Sequence, residues 1–173
     1  MNKQGGLIHS SAQVLRLASF ANWTFGAAVL AGMTASIALG GRFTAIMLGD
    51  DGGIGLDAKT AGMRCLLLLG IVMAGAILVM LRALGQIIVT VSAGDPFIMD
   101  NAARLRTIGW SLLFIQLLDI PAFLIARSFP ALGSAAPDGG VSPAGWLALL
   151  MTFVLAGVFV VGARMRDDLK GTV

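Results

Sequence analysis

Glutamate and tyrosine are absent from this sequence, cysteine and histidine occur once each, and charged residues make up only 12% of it. Each shortage excludes something. A single cysteine, Cys65, rules out an intrachain disulfide and any C-x-x-C redox pair, and at the edge of an apolar run it reads as a packing residue. A single histidine, His9, with no cysteine or carboxylate at ligand spacing, makes a poor metal site and reads as a solvated or headgroup-level side chain. Cys–His pairs, Ser–His–Asp sets and paired carboxylates cannot be assembled within any one membrane face. No catalytic, cofactor-binding or metal-ligating residues are therefore assigned, and the chain is read as a non-enzyme. Gly52 and Gly53 have no following Lys-[Ser/Thr], so a phosphate loop is excluded. Asp50, Asp51 and Asp57 among glycines miss the spacing of a calcium loop, and a solvated turn is expected there.

Apolar residues, by contrast, make up 57% of the 173 positions, and the mean hydropathy is +0.90. A soluble domain carries about a quarter charged residues, so the polar surface here is too small to cover a soluble globule. Lipid is the expected solvent. The 23 glycines fit that medium, which tolerates them in helices better than water does. A net charge of +3 and a pI near 9.8 do not signal direct nucleic-acid binding. The basic residues bracket apolar runs rather than forming one stripe.

Four runs, approximately 17–41, 65–85, 107–126 and 144–163, reach about the 20 residues a spanning helix needs. The fold class expected is all-α: a four-helix transmembrane bundle forming a single integral membrane domain, 1–173. The first run is too long for a signal-peptide core and is expected to be retained. Before it, Leu7, Ile8, Val14 and Leu15 suggest a short interfacial helix. Ala28, Gly32, Ser36 and Gly40 form a small-residue ladder that permits close helix approach, and a homo-oligomer packed along it is one expectation. The stretch 42–64 is expected as a loop, with Phe43, Ile46 and Met47 dipping into the interface. Pro121 predicts a kink near Leu117, where the i−4 hydrogen bond is lost. The stretch 127–143, with Pro130, Pro137 and Asp138, is expected to have little regular structure.

Between the second and third runs lies an elbow. Ser92, Gly94, Asp95 and Pro96 end one helix and predict another beginning at Pro96. Phe97, Leu105 and Ile108 then form an apolar stripe, with Asp100, Asn101 and Arg104 expected to face away. With four spans, both termini share a side with residues 82–106. That side carries Lys3, Arg16, Arg82, Arg104, Arg106, Arg164, Arg166 and Lys170, against Arg42, Lys59, Arg64 and Arg127 on the other. The twofold bias predicts cytoplasmic termini in a bacterial inner membrane.

Four polar side chains are candidates inside the spans: Asp119, Gln116, Asn22 and Arg82. Asp119 is the sharpest, because an ionised carboxylate near mid-span costs about 2.5 kcal/mol or more. Two readings stand: a proton, cation or ligand site, or a buried acid that fixes packing beside the Pro121 kink. Gln116, one turn earlier, is within reach of it. Arg82 is expected to snorkel to the headgroups, and Asn22 to bond a neighbouring helix. At the elbow, Asp95, Pro96, Phe97, Asp100, Asn101, Arg104 and Arg106 are candidates for docking a cytoplasmic protein. The alternative is an interfacial anchor with its arginines on lipid phosphates. Asp167 and Asp168 are expected to pair with Arg104 or Arg106 and so join tail to elbow.

The run Gly94-Asp95-Pro96-Phe97, then Asn101, Arg104-Leu105-Arg106 and Ile108-Gly109-Trp110, resembles a bacterial family of uncharacterised four-span inner-membrane proteins catalogued as a domain of unknown function. The ending from Gly162, closing on Leu169, Gly171, Thr172 and Val173, is similar to that family's charged ending. The resemblance covers the second half of the chain. It implies no catalytic residues. It implies a neighbouring small Cro/CI-like helix-turn-helix regulator, and hence a membrane partner for a DNA-binding protein. The functional expectation is a non-enzymatic regulatory or sensory protein. The alternatives are a small transporter or channel subunit using Asp119, and a purely structural membrane protein.

Overall fold

The computed structural model describes residues 3–49, 55–137, 140 and 142–170, without the side chains of 3–9 and 170. Asp50, Asp51, Gly52, Gly53, Asp138 and Gly171 to Val173 lie outside the described residues, as do the side chains of Lys3, Leu7, Ile8, His9 and Lys170. Six α-helices follow in order: α1 Lys3–Leu39, α2 Gly41–Leu48, α3 Leu56–Ser92, α4 Met99–Leu117, α5 Asp119–Ser128 and α6 Pro143–Lys170. A 3-10 turn over Pro130–Ala135 precedes α6. No strand occurs among the described residues, and the chain is all-α.

Four helical stretches are long and apolar enough to cross a membrane: Ser10–Leu39, Leu56–Ser92, Met99–Ser128 and Pro143–Leu169. Their outer faces suit lipid. Leu17, Phe20, Trp23, Ile37, Val89 and Trp110 are each more than 60% exposed, which no aqueous surface would favour. The protein is a multi-pass membrane protein.

Several boundaries differ from the sequence expectation. The N-terminal segment is not a separate interfacial helix but the start of α1. The stretch 42–64 is largely helical: α2 occupies its first part, and α3 begins at Leu56, nine residues before the apolar run. Those nine residues hold because their polar groups find partners. The Thr60 hydroxyl reaches the Leu56 carbonyl at 2.8 Å and Thr44 at 2.9 Å. Arg64 donates through Nε to the Ser36 hydroxyl at 3.1 Å and through Nη2 to the Ser36 carbonyl at 2.7 Å. In α2, Ile46 and Met47 are exposed, whereas Phe43 is half-buried with its ring end beside Gly32. Before Pro121 the helix is interrupted at one residue, Leu118, which keeps helical angles of φ −68° and ψ −16°. Leu118 separates α4 from α5, and its N–H donates three residues back, to Ile115 at 3.1 Å.

The described contacts group into two compact units. The first comprises Met1–Asn22, Ala76–Phe114 and Ser142–Val173. Its core is Ile87, Leu105 and Ala156, with Ile108 and Phe159 packed against it. The second comprises Trp23–Gly75 and Ile115–Val141. There α1 and α3 meet through small residues. Gly32 sits under Leu67 and Gly70 under Val29, where an added Cβ would stand 3.2 Å from the facing side chain in each case. Of the small-residue ladder, Gly32 and Ser36 are used this way, whereas Ala28 faces outward.

Candidate functional site

The elbow between α3 and α4 is the most heavily bonded polar feature of the first unit. It begins with the way α3 stops. Gly94 takes φ +83°, a conformation that side-chain-bearing residues resist. From there the Asp95 N–H donates to the Thr90 carbonyl at 3.1 Å, and the Gly94 N–H to that of Val91 at 3.0 Å. This double closure is a Schellman motif, and it turns the chain sharply into Pro96. The sequence expectation that the next helix begins at Pro96 is not met. Residues 95–98 have no regular structure, and α4 starts at Met99.

Asn101 holds this turn in place, and it is fully buried rather than facing away. Its Nδ2 donates to the Thr90 hydroxyl at 2.7 Å and to the Pro96 carbonyl at 2.8 Å. Its Oδ1 accepts from Arg104 Nη1 at 2.7 Å. Arg104 also donates through Nε to Gln86 Oε1 at 3.1 Å. One amide thus joins the end of α3, the link and the first turns of α4. Arg104 serves this internal network. Asp100 and Arg106 remain exposed, as docking side chains would have to be.

A second set of contacts fastens the elbow to the end of α6. The Phe97 ring packs tilted on Phe159, with centroids 5.2 Å apart. It also lies over Gly162, where an added Cβ would stand only 2.7 Å from the ring. Beside it, Arg166 donates through Nη1 to the Phe97 carbonyl at 3.1 Å, and its Nη2 pairs with the Asp95 carboxylate. Tail and elbow are therefore joined, as the charges predicted, but through a different pair. Arg166 supplies the cation and Asp95 the anion, whereas Arg104 is turned inward to Asn101. Further along, Gly109 lies against Phe153, whose ring meets Trp110 edge-on at 5.6 Å.

The contributions differ in size. The ion-pair side chains are 27% and 40% exposed, so water screens them, and such pairs contribute about 0–1 kcal/mol. The Phe97 contact contributes apolar burial plus about 0.5–1.5 kcal/mol of ring–ring interaction. Packing thus supplies most of the hold, and the Asp95–Arg166 pair fixes its register. The sequence reasoning missed Thr90, Gln86, Gly162 and Arg166 as members of this site. Gly162 and Arg166 carried a signal, as members of the ending that resembles the family's.

The intramembrane candidates separate between the units. Asp119 and Gln116 fall in the second, Arg82 and Asn22 in the first. Asp119 is half-buried at the first position of α5, immediately after the interruption at Leu118. It makes no hydrogen bond or ion pair with Gln116 or any other described residue. Pro121 has no N–H, so the Leu117 carbonyl lacks its α-helical donor one turn away. Arg82 is exposed, consistent with a snorkelling side chain. Asn22 is buried, and although the residue is engaged elsewhere, its Oδ1 has no hydrogen-bond partner. The second unit also buries Lys59, Thr60, Thr44 and Ser36, with Thr60 bonded to Thr44 and Arg64 to Ser36; of these polar residues the sequence reading placed all but Ser36 in a loop. No group of three or more potential metal ligands occurs among the described residues.

A protein family described as "Protein of unknown function (DUF2975)" matches residues 55–173. No curated protein matches the chain, and no solved structure does.

Proposed function

This chain belongs to the DUF2975 family of proteins of unknown function, and on that premise we propose that it is a non-enzymatic regulatory or sensory protein of the bacterial inner membrane. In this reading the fastened elbow is a two-state element. Closed, Asp95 and Phe97 are held on α6; open, Asp100, Arg106 and the released Arg166 present a different surface to a cytoplasmic helix-turn-helix protein. A signal received elsewhere in the bundle acts by favouring one state over the other. The observation that carries the reading is the Asp95–Arg166 pair with its Phe97 contact, a few weak interactions joining segments 69 to 71 residues apart. A closure built this way opens at modest cost, which suits a switch better than a scaffold. Both termini and the elbow belong to the same unit, and the basic residues favour that side by eight to four, which supports a cytoplasmic assignment.

The test is retention of a purified helix-turn-helix regulator from the same cell on the tagged, detergent-solubilised protein. Arg106→Ala should weaken retention directly. Arg104→Ala should change it by loosening the Asn101 network, and Arg166→Ala by opening the elbow. If no such regulator is retained, or if all three variants retain it as well as the wild type does, the proposal fails.

The second reading, a transporter or channel subunit, is favoured by Asp119 itself. A carboxylate without a described partner, two residues before a proline that leaves a carbonyl undonated inside a span, is a side chain able to hold a proton or a cation. Ion flux into liposomes that is abolished by Asp119→Asn would support it. Absence of flux in the wild type would eliminate it.

A further inference from the structure

Along the outer face of α6 in the first unit runs an open groove of about 470 Å³, lined by Gly157, Val158, Val161, Gly162 and Met165, with Phe97 as its other wall. Every lining side chain is apolar, and Val158, Val161 and Met165 are more than half exposed. Gly157 leaves the floor open, with nothing within 4 Å of an added Cβ, and Gly162 lets the Phe97 wall come close. On a span bathed in lipid, a groove of this composition takes an acyl chain.

The end of the groove says which lipid. The uncharged run of α6 starts at Pro143 and ends at its first charged residue, Arg164, which matches the about 20 residues that cross the hydrocarbon and puts Arg164 at the headgroup level. Arg164 lies one turn beyond Val161 along the groove's edge, because residues three apart are neighbours on a helix. It is exposed and makes no hydrogen bond or ion pair with any described residue. A guanidinium placed at that depth binds phosphate oxygens. Asp167 and Asp168 follow at three and four residues, adjacent to Arg164 on the helix surface. Their carboxylates would accept hydrogen bonds from a primary ammonium and repel a headgroup of net negative charge. We propose that this groove seats one acyl chain of an aminophospholipid of the phosphatidylethanolamine class, with its phosphate on Arg164 and its ammonium toward Asp167 and Asp168.

Native mass spectrometry tests this on the full chain, offered equal amounts of phosphatidylethanolamine, phosphatidylglycerol and phosphatidylcholine with identical acyl chains. The expected result is several-fold more phosphatidylethanolamine adduct than either of the others. Arg164→Gln, at an exposed position that leaves the fold intact, should erase that preference. Val161→Trp, filling the groove, should reduce all three adducts. Equal retention of the three lipids by the wild type, or a preference for phosphatidylglycerol, overturns the headgroup assignment. An unchanged adduct profile for Val161→Trp overturns the acyl seat. Near-complete disulfide dimerisation of Val161→Cys in membranes would give the groove to a second copy of the chain and likewise overturn the proposal.

Discussion

Replacing Asn101 by alanine should loosen the elbow far more than any exposed substitution nearby. The amide is fully buried and hydrogen-bonds to three partners, Thr90, Pro96 and Arg104. Neutral bonds contribute about 0.5–1.5 kcal/mol each, and one to a charged group about 1.5–3 kcal/mol. Arg104 keeps Gln86 and can recruit water at its half-exposed position, so its loss falls at the low end of that range. The Pro96 carbonyl has no such recourse while the elbow stays shut. The total is about 3 kcal/mol of local stability, which at about 1.4 kcal/mol per factor of ten corresponds to roughly 100-fold in the opening equilibrium. Amide hydrogen exchange reads this directly at Asp95 and Gly94, whose N–H groups close the end of α3. Exchange there should accelerate by about two orders of magnitude in Asn101→Ala and hold steady in Asp100→Ala. Acceleration of less than about threefold, or equal acceleration in both variants, would refute the assignment of Asn101 as the residue that holds the turn.

Three further outcomes are expected. Gly162→Leu should displace Phe97 from α6 and lower thermal stability by about 1–3 kcal/mol, because the ring lies where the new side chain must go; an unchanged melting curve would show that the ring is not seated there. Reversing one charge, Asp95→Arg or Arg166→Asp, should cost about 1 kcal/mol or less in detergent denaturation, and the double reversal should recover most of it. Arg64→Ala should cost about 1–3 kcal/mol by leaving the buried Ser36 hydroxyl without its donor and the Ser36 carbonyl with the Gly40 N–H alone, and Arg64→Lys should not restore it, since one ammonium cannot reproduce the two-nitrogen contact; full rescue by lysine in the same assay would contradict that geometry.

The four spans were legible because run length and bracketing arginines report directly on the medium. The interruption before Asp119 was legible because proline removes a donor wherever it sits. The early start of α3 was not, because Lys59, Thr60 and Arg64 lower the local hydropathy. They are tolerated only through partners such as Thr44 and Ser36, 16 and 28 residues distant, which no window reveals. Asn101 is a different case. It precedes Leu105 by four residues and Ile108 by seven, so helical period alone puts it on the apolar face. The expectation that a polar residue points outward overrode that spacing and was mistaken. The Asp95–Arg166 pairing was beyond reach because every arginine near the elbow is an equally good partner on charge, and only packing of Phe97 on Gly162 selects Arg166.

At 37 residues, α3 is about 55 Å long, while the hydrocarbon slab it crosses is about 30 Å thick. Tilting absorbs only part of the difference. The remainder is overhang, several turns of helix carried beyond the acyl chains. It falls at the two ends of α3, the Leu56 end, where Thr60 and Arg64 find partners inside the protein, and the Thr90 end, which carries the elbow, so both ends of this helix are places where polar side chains must be satisfied by other segments rather than by lipid.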